Sequence, residues 1–343
     1  MASRPVVLCC SSFTPPIPAC NVLFELAPAY EGDFTLLDQV SVTDLNEAER
    51  AKIEGIVCTG GYARTDHKLG KEIMDLLPNL RVISTPSMGI NHIDVQAATD
   101  HGVLVGRSPE HFQSDSVAEF AFGLLLASAR SIVLAAKVAR TTAFSSDQQK
   151  IQIFKPIQQV TGSTLGIIGF GNVGQGVAKK AKGFKMKILY HSRTRKGDQE
   201  KCLGVSFCPD LKKLLQESDF SDFVILCLPY TDQTKHIISS KELCLMKPTA
   251  TLINVGRGGT VNHDDLTAAL QNGVIRGSAL DVTEPNDLPK DHPLFKMQNV
   301  IITPHIAFYT ETSFTKLYSS ALDNLKAGIK GKELPYPVNN VSH

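Results

Sequence analysis

The segment from Thr164 to Gln175 constrains this chain more than any other. The apolar run Leu165 to Ile168 leads directly into Gly169-Phe170-Gly171-Asn172-Val173-Gly174, and a helical stretch, Val173 to Lys182, follows. Three glycines at this spacing between a strand and a helix meet three separate demands. Gly169 allows the tight reversal, Gly171 lets the backbone approach a pyrophosphate, and Gly174 lets helix close on strand. The helix start at Asn172 and Val173 then offers unpaired N–H groups and a positive dipole end to an anion.

A chain built around such a unit should alternate strand and helix, and this one does. Short β-rich runs fall at Val6–Cys10, Phe34–Leu37, Gly55–Cys58, Arg81–Thr85 and Val103–Val105, with helical stretches at Asp44–Lys52, Asp66–Leu77 and Ile93–His101. A second series of strands is expected at Thr164–Gly169, Lys187–Tyr190, Phe223–Leu228, Thr251–Asn254, Gly277–Asp281 and Val300–Thr303. These runs are apolar throughout rather than alternating, as in parallel sheets covered on both faces. Between the two series, Ser116 to Arg140 reads as one long helix rich in small residues, buried nearly all round against another domain or subunit, the alternative being a core helix inside one domain. A surface loop is expected from Thr142 to Gln159, and a last helix from Glu311 to Ile329.

At 343 residues the chain is too long for one simple core and comfortable for two domains. Its 43% hydrophobic and 20% charged residues exclude a disordered chain. Thirty-five basic against thirty-four acidic residues leave a net charge of +1, so no bulk field draws it to nucleic acid or an anionic membrane. The eight cysteines lack CxxC spacing, and several sit inside apolar runs, which favours a reduced cytoplasmic protein without a metal site. No stretch is long and apolar enough to suggest a membrane span.

Beyond the second strand of the glycine unit come His191-Ser192-Arg193-Thr194-Arg195, with no carboxylate before Asp198. An acidic residue there would bond ribose hydroxyls and repel a 2′-phosphate, whereas Ser192, Arg193 and Arg195 would hold one. This favours NADP(H), with NAD(H) still possible; the alternative is that both arginines are solvated surface charges. Three further turns follow strands: Asn254-Val255-Gly256-Arg257-Gly258-Gly259, Asp281 to Pro289, and Thr303-Pro304-His305-Ile306-Ala307. Ligands bind at such strand C-termini in open α/β sheets. Taken singly, Arg257 could equally be a structural salt-bridge residue and His305 a core histidine.

Taken with Ser87-Met88-Gly89-Ile90-Asn91-His92-Ile93-Asp94 and Ser116-Val117-Ala118-Glu119, these segments resemble the D-isomer-specific 2-hydroxyacid dehydrogenases, the glyoxylate/hydroxypyruvate reductases in particular. The resemblance implies an α/β chain of two Rossmann-like domains with an active site in the cleft between them. One is a flavodoxin-like substrate domain, 1–110 plus 306–343; the other is a doubly wound dinucleotide-binding domain, 111–305. It also implies a homodimer through the cofactor domain and a small 2-oxoacid substrate. Arg257 would grip the substrate carboxylate and polarise the carbonyl, and His305 would act as general acid. Backbone N–H groups of Met88 and Gly89 would complete the carboxylate pocket. Asp281 matches the residue that faces the nicotinamide carboxamide. Leu228, Pro229, Thr234, Val255, Gly256, His305 and Ala307 join Gly169, Gly171, Asn172, Val173, Gly174, Ser192, Arg193 and Arg195 as expected cofactor contacts. Pocket size would depend on how Met88, Phe308 and Tyr309 pack.

Two positions depart from the family pattern. Five residues past Asp281, where a glutamate would pair with the histidine, stands Asn286. Either an amide partners His305, or Glu284 or Asp287 substitutes, or proton transfer is crippled. The expectation is an active but slower reductase; the alternative is an NADP(H)-binding regulatory relative with weak or no turnover. The second departure is the lack of tryptophan, with Thr141-Thr142-Ala143-Phe144 where the family commonly has one.

Overall fold

The computed structural model describes residues 4–10, 18–38, 41–58, 69–141, 157–216 and 221–341. The loop expected from Thr142 and the segment standing in for the family tryptophan lie largely outside these residues. Twelve strands are described: β1 Val6–Cys10, β2 Thr35–Asp38, β3 Ile53–Cys58, β4 Val82–Thr85, β5 Leu104–Arg107, β6 Thr164–Ile168, β7 Lys187–His191, β8 Ser206–Phe207, β9 Ser221–Leu226, β10 Thr251–Asn254, β11 Gly277–Leu280 and β12 Val300–Ile302. Four helices matter below: α1 Ser114–Ala129, α2 Ile132–Thr141, α3 Asn172–Gly183 and α4 Glu311–Ile329.

The chain divides into two compact units, Met1–Gln113 with Tyr309–His343, and Ser114–Phe308. In the first, five parallel strands run in the order β2-β1-β3-β4-β5. All four residues of β4 are buried, Ser84 and Thr85 included, as a central strand covered on both faces requires. Val7, Val57 and Val82 form one packed face with Leu322 and Leu325 of α4, and Leu8, Ile56 and Ile83 form the other. One polar side chain anchors α4. Asn324 is fully buried; its amide donates to Ser84 Oγ at 3.3 Å and the Arg107 carbonyl at 3.4 Å, and its oxygen accepts from Tyr336 N at 3.0 Å.

In the second unit seven parallel strands run β12-β11-β10-β9-β6-β7-β8. The chain enters at β6, moves one way to β8, then returns to place β9 on the other side of β6. This topological switch opens a crevice at the strand C-termini beside β6. The two-residue β8 was not anticipated, being too short to carry a pattern.

The single helix expected from Ser116 to Arg140 is corrected. It is two helices, α1 and α2, bent by 63° at the break. Ser131 adopts a left-handed conformation, φ 52°, and α2 restarts there with Ala135 N donating to its carbonyl. α1 is covered on all sides except a stripe at Asp115, Glu119 and Gly123. α2 is largely exposed within its own unit, with Ile132 and Val133 each 52% accessible. Among the described residues no single helix is long and apolar enough to cross a membrane, and only the bent pair together meets that test.

Replacing Asn324 with leucine keeps the branched shape but strands the Tyr336 N–H and the Arg107 carbonyl. We expect a loss of about 2 kcal/mol, read as a lower thermal midpoint; an unchanged midpoint would show that Asn324 is not the anchor of α4.

Candidate functional site

The strand register lines up the site. His191, Ile168, Leu226, Asn254, Leu280 and Ile302 occupy one row across β7, β6, β9, β10, β11 and β12. Every residue expected to act on the second unit lies just past this row: 169–174, 192–195, 228–234, 255–257, 281–286 and 305–307. Parallel pairing therefore brings these segments to one edge of one sheet, although up to 138 residues separate them.

The glycine turn fits a bound pyrophosphate. Gly169 has φ +95°, and a Cβ there would sit 2.7 Å from the Cys227 carbonyl oxygen. A Cβ on Gly174 would lie 2.2 Å from the Gly169 carbonyl oxygen, so only glycine lets α3 close on β6. Gly171 is the N-cap residue and makes no side-chain cap, leaving the first-turn N–H groups of Asn172, Val173 and Gly174 uncapped by any side chain. Behind the turn, desolvation pushes the Cys227 thiol up to about 12, so it is not a nucleophile at neutral pH.

Past β7 the two arginines stand differently. Arg195 is held by Glu200: its Nε donates at 3.0 and 3.2 Å and its Nη2 at 2.8 Å to the two carboxylate oxygens. Its guanidinium also lies 5.8 Å from the centre of the Phe207 ring. The helical turn Gly197–Leu203 carries Glu200 back to this spot, so a carboxylate from beyond Asp198 lies beside Arg195. Ser192 Oγ donates to the Thr194 carbonyl at 2.8 Å. Arg193 is exposed, without a partner among the described residues.

The Arg257 turn is tied down by Asn254, a fully buried side chain at the end of β10. Its amide donates to the Arg257 carbonyl at 3.0 Å and its oxygen accepts from Gly256 N at 3.0 Å. Thr260 Oγ1 donates to the same carbonyl at 2.7 Å. Val255 is buried, and Arg257 Nη1 donates to the Gly256 carbonyl at 2.8 Å. A Cβ on Gly256 would meet Leu228 backbone at 2.6 Å, and one on Gly258 would overlap the Thr283 carbonyl at 1.9 Å. The loops after β9, β10 and β11 thus stack backbone to backbone. Within the first of them, Thr234 Oγ1 donates to the Pro229 carbonyl at 2.7 Å and closes the turn.

Asp281 does for His305 what Asn254 does for Arg257. It is 1% exposed, and its carboxylate accepts from Thr303 Oγ1 at 2.6 Å, Ile306 N at 2.9 Å and Ala307 N at 2.9 Å. Between these donors His305 stands in a left-handed conformation, φ 58°, half-buried, its ring edge-on to Phe308. This clamp was missed: the resemblance assigned Asp281 to the nicotinamide, and three donors from a loop 22–26 residues away leave no local pattern. Of the partners considered for His305, Glu284 instead accepts from His236 Nε2 at 3.1 Å. Asn286 is exposed and makes no hydrogen bond to His305 among the described residues.

On the first unit, Met88 and Gly89 follow β4. Ser87 Oγ donates to the Gly89 carbonyl at 2.7 Å and Arg107 Nη1 reaches the Met88 carbonyl at 3.4 Å. Among the described residues neither Met88 nor Gly89 has a hydrogen-bond partner for its N–H.

A family model described as D-isomer specific 2-hydroxyacid dehydrogenase, NAD binding domain, matches residues 122–307, more than half of the chain. The chain belongs to this family. It is therefore an oxidoreductase of the D-2-hydroxyacid dehydrogenases, with a nicotinamide dinucleotide domain in its second unit. It is 40% identical over 272 residues to a glyoxylate reductase of Thermofilum pendens, covering 79% of this chain and 78% of that one. It is also 40% identical over 277 residues to a glyoxylate reductase of Thermococcus litoralis, covering 79% and 81%. Among solved structures it is similar to the NADPH-dependent glyoxylate/hydroxypyruvate reductase of Sinorhizobium meliloti in complex with NADP and malonate. That match has 28% identity and a TM-score of 0.76, covering 98% of this chain and 97% of that one.

Asp281→Asn replaces one acceptor oxygen with an amide that must face a donor. We expect the 303–307 turn to loosen, kcat to fall by roughly a hundredfold, and the thermal midpoint to drop as a buried donor is left unpaired. Steady-state rates beside a thermal melt test this; a dehydrogenase with normal kcat would show that the clamp does not position His305.

Proposed function

We propose that this dehydrogenase reduces a small 2-oxoacid, glyoxylate or hydroxypyruvate or a close relative, to the D-2-hydroxyacid with NADPH. The observation that carries the reading is the pair of clamped turns: Asn254 and Asp281, at the ends of adjacent strands, present one arginine and one histidine beside a glycine turn shaped for a dinucleotide. A nucleotide-binding scaffold has no need of the arginine.

The fit to the cofactor rests on the turn itself, with Gly169 and Gly174 at positions a Cβ would fill and an uncapped helix start. Leu228, Pro229, Val255 and Gly256 would line the nicotinamide half, and Arg193 with Ser192 would face a 2′-phosphate. When bound, NADPH supplies the hydride to the substrate carbonyl carbon. Arg257 offers a planar fork to the carboxylate and the ketone oxygen, holding both in one plane and drawing charge toward the oxygen. His305, as the imidazolium, gives its proton to that oxygen as negative charge builds there. On the first unit, Met88 and Gly89 carry N–H groups of the kind a carboxylate takes, and such donors act best when fixed in advance. A homodimer through the second unit fits the exposed Ile132 and Val133 of α2. The similarity to reductases that act on glyoxylate supports the substrate class.

A second reading, an NADP(H)-binding regulator with weak turnover, rests on Asn286 alone. The two separate in one experiment: oxidation of NADPH and NADH with glyoxylate, hydroxypyruvate, pyruvate and 2-ketogluconate. Turnover with a preference for NADPH is expected, and Arg257→Lys should raise KM and lower kcat/KM by roughly a hundredfold, since a point charge cannot replace the fork. NADPH binding without turnover on any substrate would favour the regulator.

Asn286→Glu adds a carboxylate near the histidine turn. If it reaches the ring it favours the charged form, so the pH at which reductive kcat declines should move upward. An identical pH–rate profile would show that position 286 does not partner His305.

A further inference from the structure

We propose that Glu200 is a specificity-determining residue: it holds Arg195 in an ion pair and so limits how strongly the site prefers a 2′-phosphorylated cofactor. The inference rests on the reading of the β7 end as the adenosine-ribose site.

The topology puts the ribose end there. β7 neighbours β6, with Ile168 opposite His191, and Gly169 N donates to the His191 carbonyl at 2.8 Å. The segment leaving β7 therefore starts beside the phosphate turn. Its sequence offers two arginines, but the structure leaves them unequal. Arg193 faces solvent. Arg195 spends both its Nε and Nη2 donors on Glu200, in the bidentate geometry that makes arginine–carboxylate pairs strong.

Glu200 is not a chance neighbour. Its side chain is 11% accessible, against 67% for Arg195. Tyr190 OH donates to its Oε1 at 2.6 Å while accepting from Lys196 N at 2.9 Å. Tyr190 is itself fully buried, its ring stacked on Phe170 at 3.9 Å between centroids, within the glycine turn. The carboxylate is therefore built onto a rigid base that also supports the phosphate turn. Arg195 and Tyr190, by their hydrogen bonds, hold the Glu200 carboxyl below the usual range. A 2′-phosphate arriving here meets Arg193, and it gains Arg195 only by breaking an existing pair next to a fixed negative charge. A ribose lacking the phosphate incurs neither cost.

The test is Glu200→Gln, which keeps the shape and the Tyr190 hydrogen bond but removes the charge. Dissociation constants for NADPH and NADH would be measured by titration at low and moderate salt. The expected result is NADPH binding tighter by about tenfold, equivalent to about 1.4 kcal/mol, with NADH changed less than twofold and a steeper salt dependence for NADPH alone. NADH binding also reports that the variant is folded. In Glu200→Gln/Arg195→Ala the gain should vanish, because it requires the released guanidinium. An unchanged NADPH constant overturns the proposal. Weaker NADPH binding overturns it too, because Glu200 would then be aiming Arg195 at the phosphate. If the unsubstituted protein prefers NADH, the proposed cofactor preference fails, yet the change caused by Glu200→Gln still decides this inference on its own.

Discussion

The carboxylate of Asp281 is the interaction on which the rest of the site depends. A buried charge is tolerable only when its lone pairs are taken up by donors, and Asp281 finds three. All three come from one short segment, Thr303, Ile306 and Ala307, and they bracket His305. The left-handed backbone of His305, unusual for a residue with a side chain, is affordable because the amides on its far side are held by charge-assisted bonds. Asn254 repeats the device one strand away, with an amide in place of a carboxylate and Arg257 in place of His305. The two are linked directly, since Asp281 N donates to the Asn254 carbonyl at 2.9 Å. One sheet edge, through two buried polar side chains, sets where an arginine and a histidine stand.

Charge works in this protein at short range. With a net charge of +1 the chain has no general attraction for an anionic ligand, so anions must be recognised by placed groups. The groups available differ in kind. At the glycine turn they are backbone N–H groups at a helix start; at the Arg257 turn, a planar guanidinium; past β7, one open and one paired arginine. Counting basic residues therefore misjudges the phosphate end of the site, because a guanidinium already committed to a buttressed carboxylate contributes little to a third partner.

Much of this was legible in the sequence, and the reason is periodicity. The glycine spacing, the strands of both sheets and the final helix from Glu311 to Ile329 are local features, each readable within a window of about ten residues. What escaped was non-local or conformational. The break at Ser131 falls in a stretch whose composition suits a helix on both sides, and nothing in the pattern announces one left-handed residue. The Arg195–Glu200 pair is only five residues apart but depends on Tyr190 and Phe207, which belong to two different strands. The absence of an acidic residue before Asp198 is legible in the sequence; that Glu200, in the same helical turn as Asp198, reaches back to Arg195 is not. The sequence points to Asp281 through the nicotinamide, and nothing local in it announces the grip on Thr303, Ile306 and Ala307.

The same logic bears on the carboxylates between 281 and 287. Sequence spacing presents Glu284, Asn286 and Asp287 as candidates to serve one histidine, just past an Asp281 assigned to the nicotinamide. The fold separates three of these four: Asp281 points into the sheet edge and binds main chain, Glu284 reaches His236, and Asn286 faces outward. What placed them was not proximity in sequence. Gly258 admits the Thr283 carbonyl to within a distance no Cβ could allow, so the loop after β11 must lie flat on the Arg257 turn. That close approach fixes the direction of the chain at Thr283 and hence the side to which Glu284 is delivered. In this family member, then, the backbone of His305 is positioned from below by Asp281, and the residue five places on stands where the loop, rather than the ring, has put it.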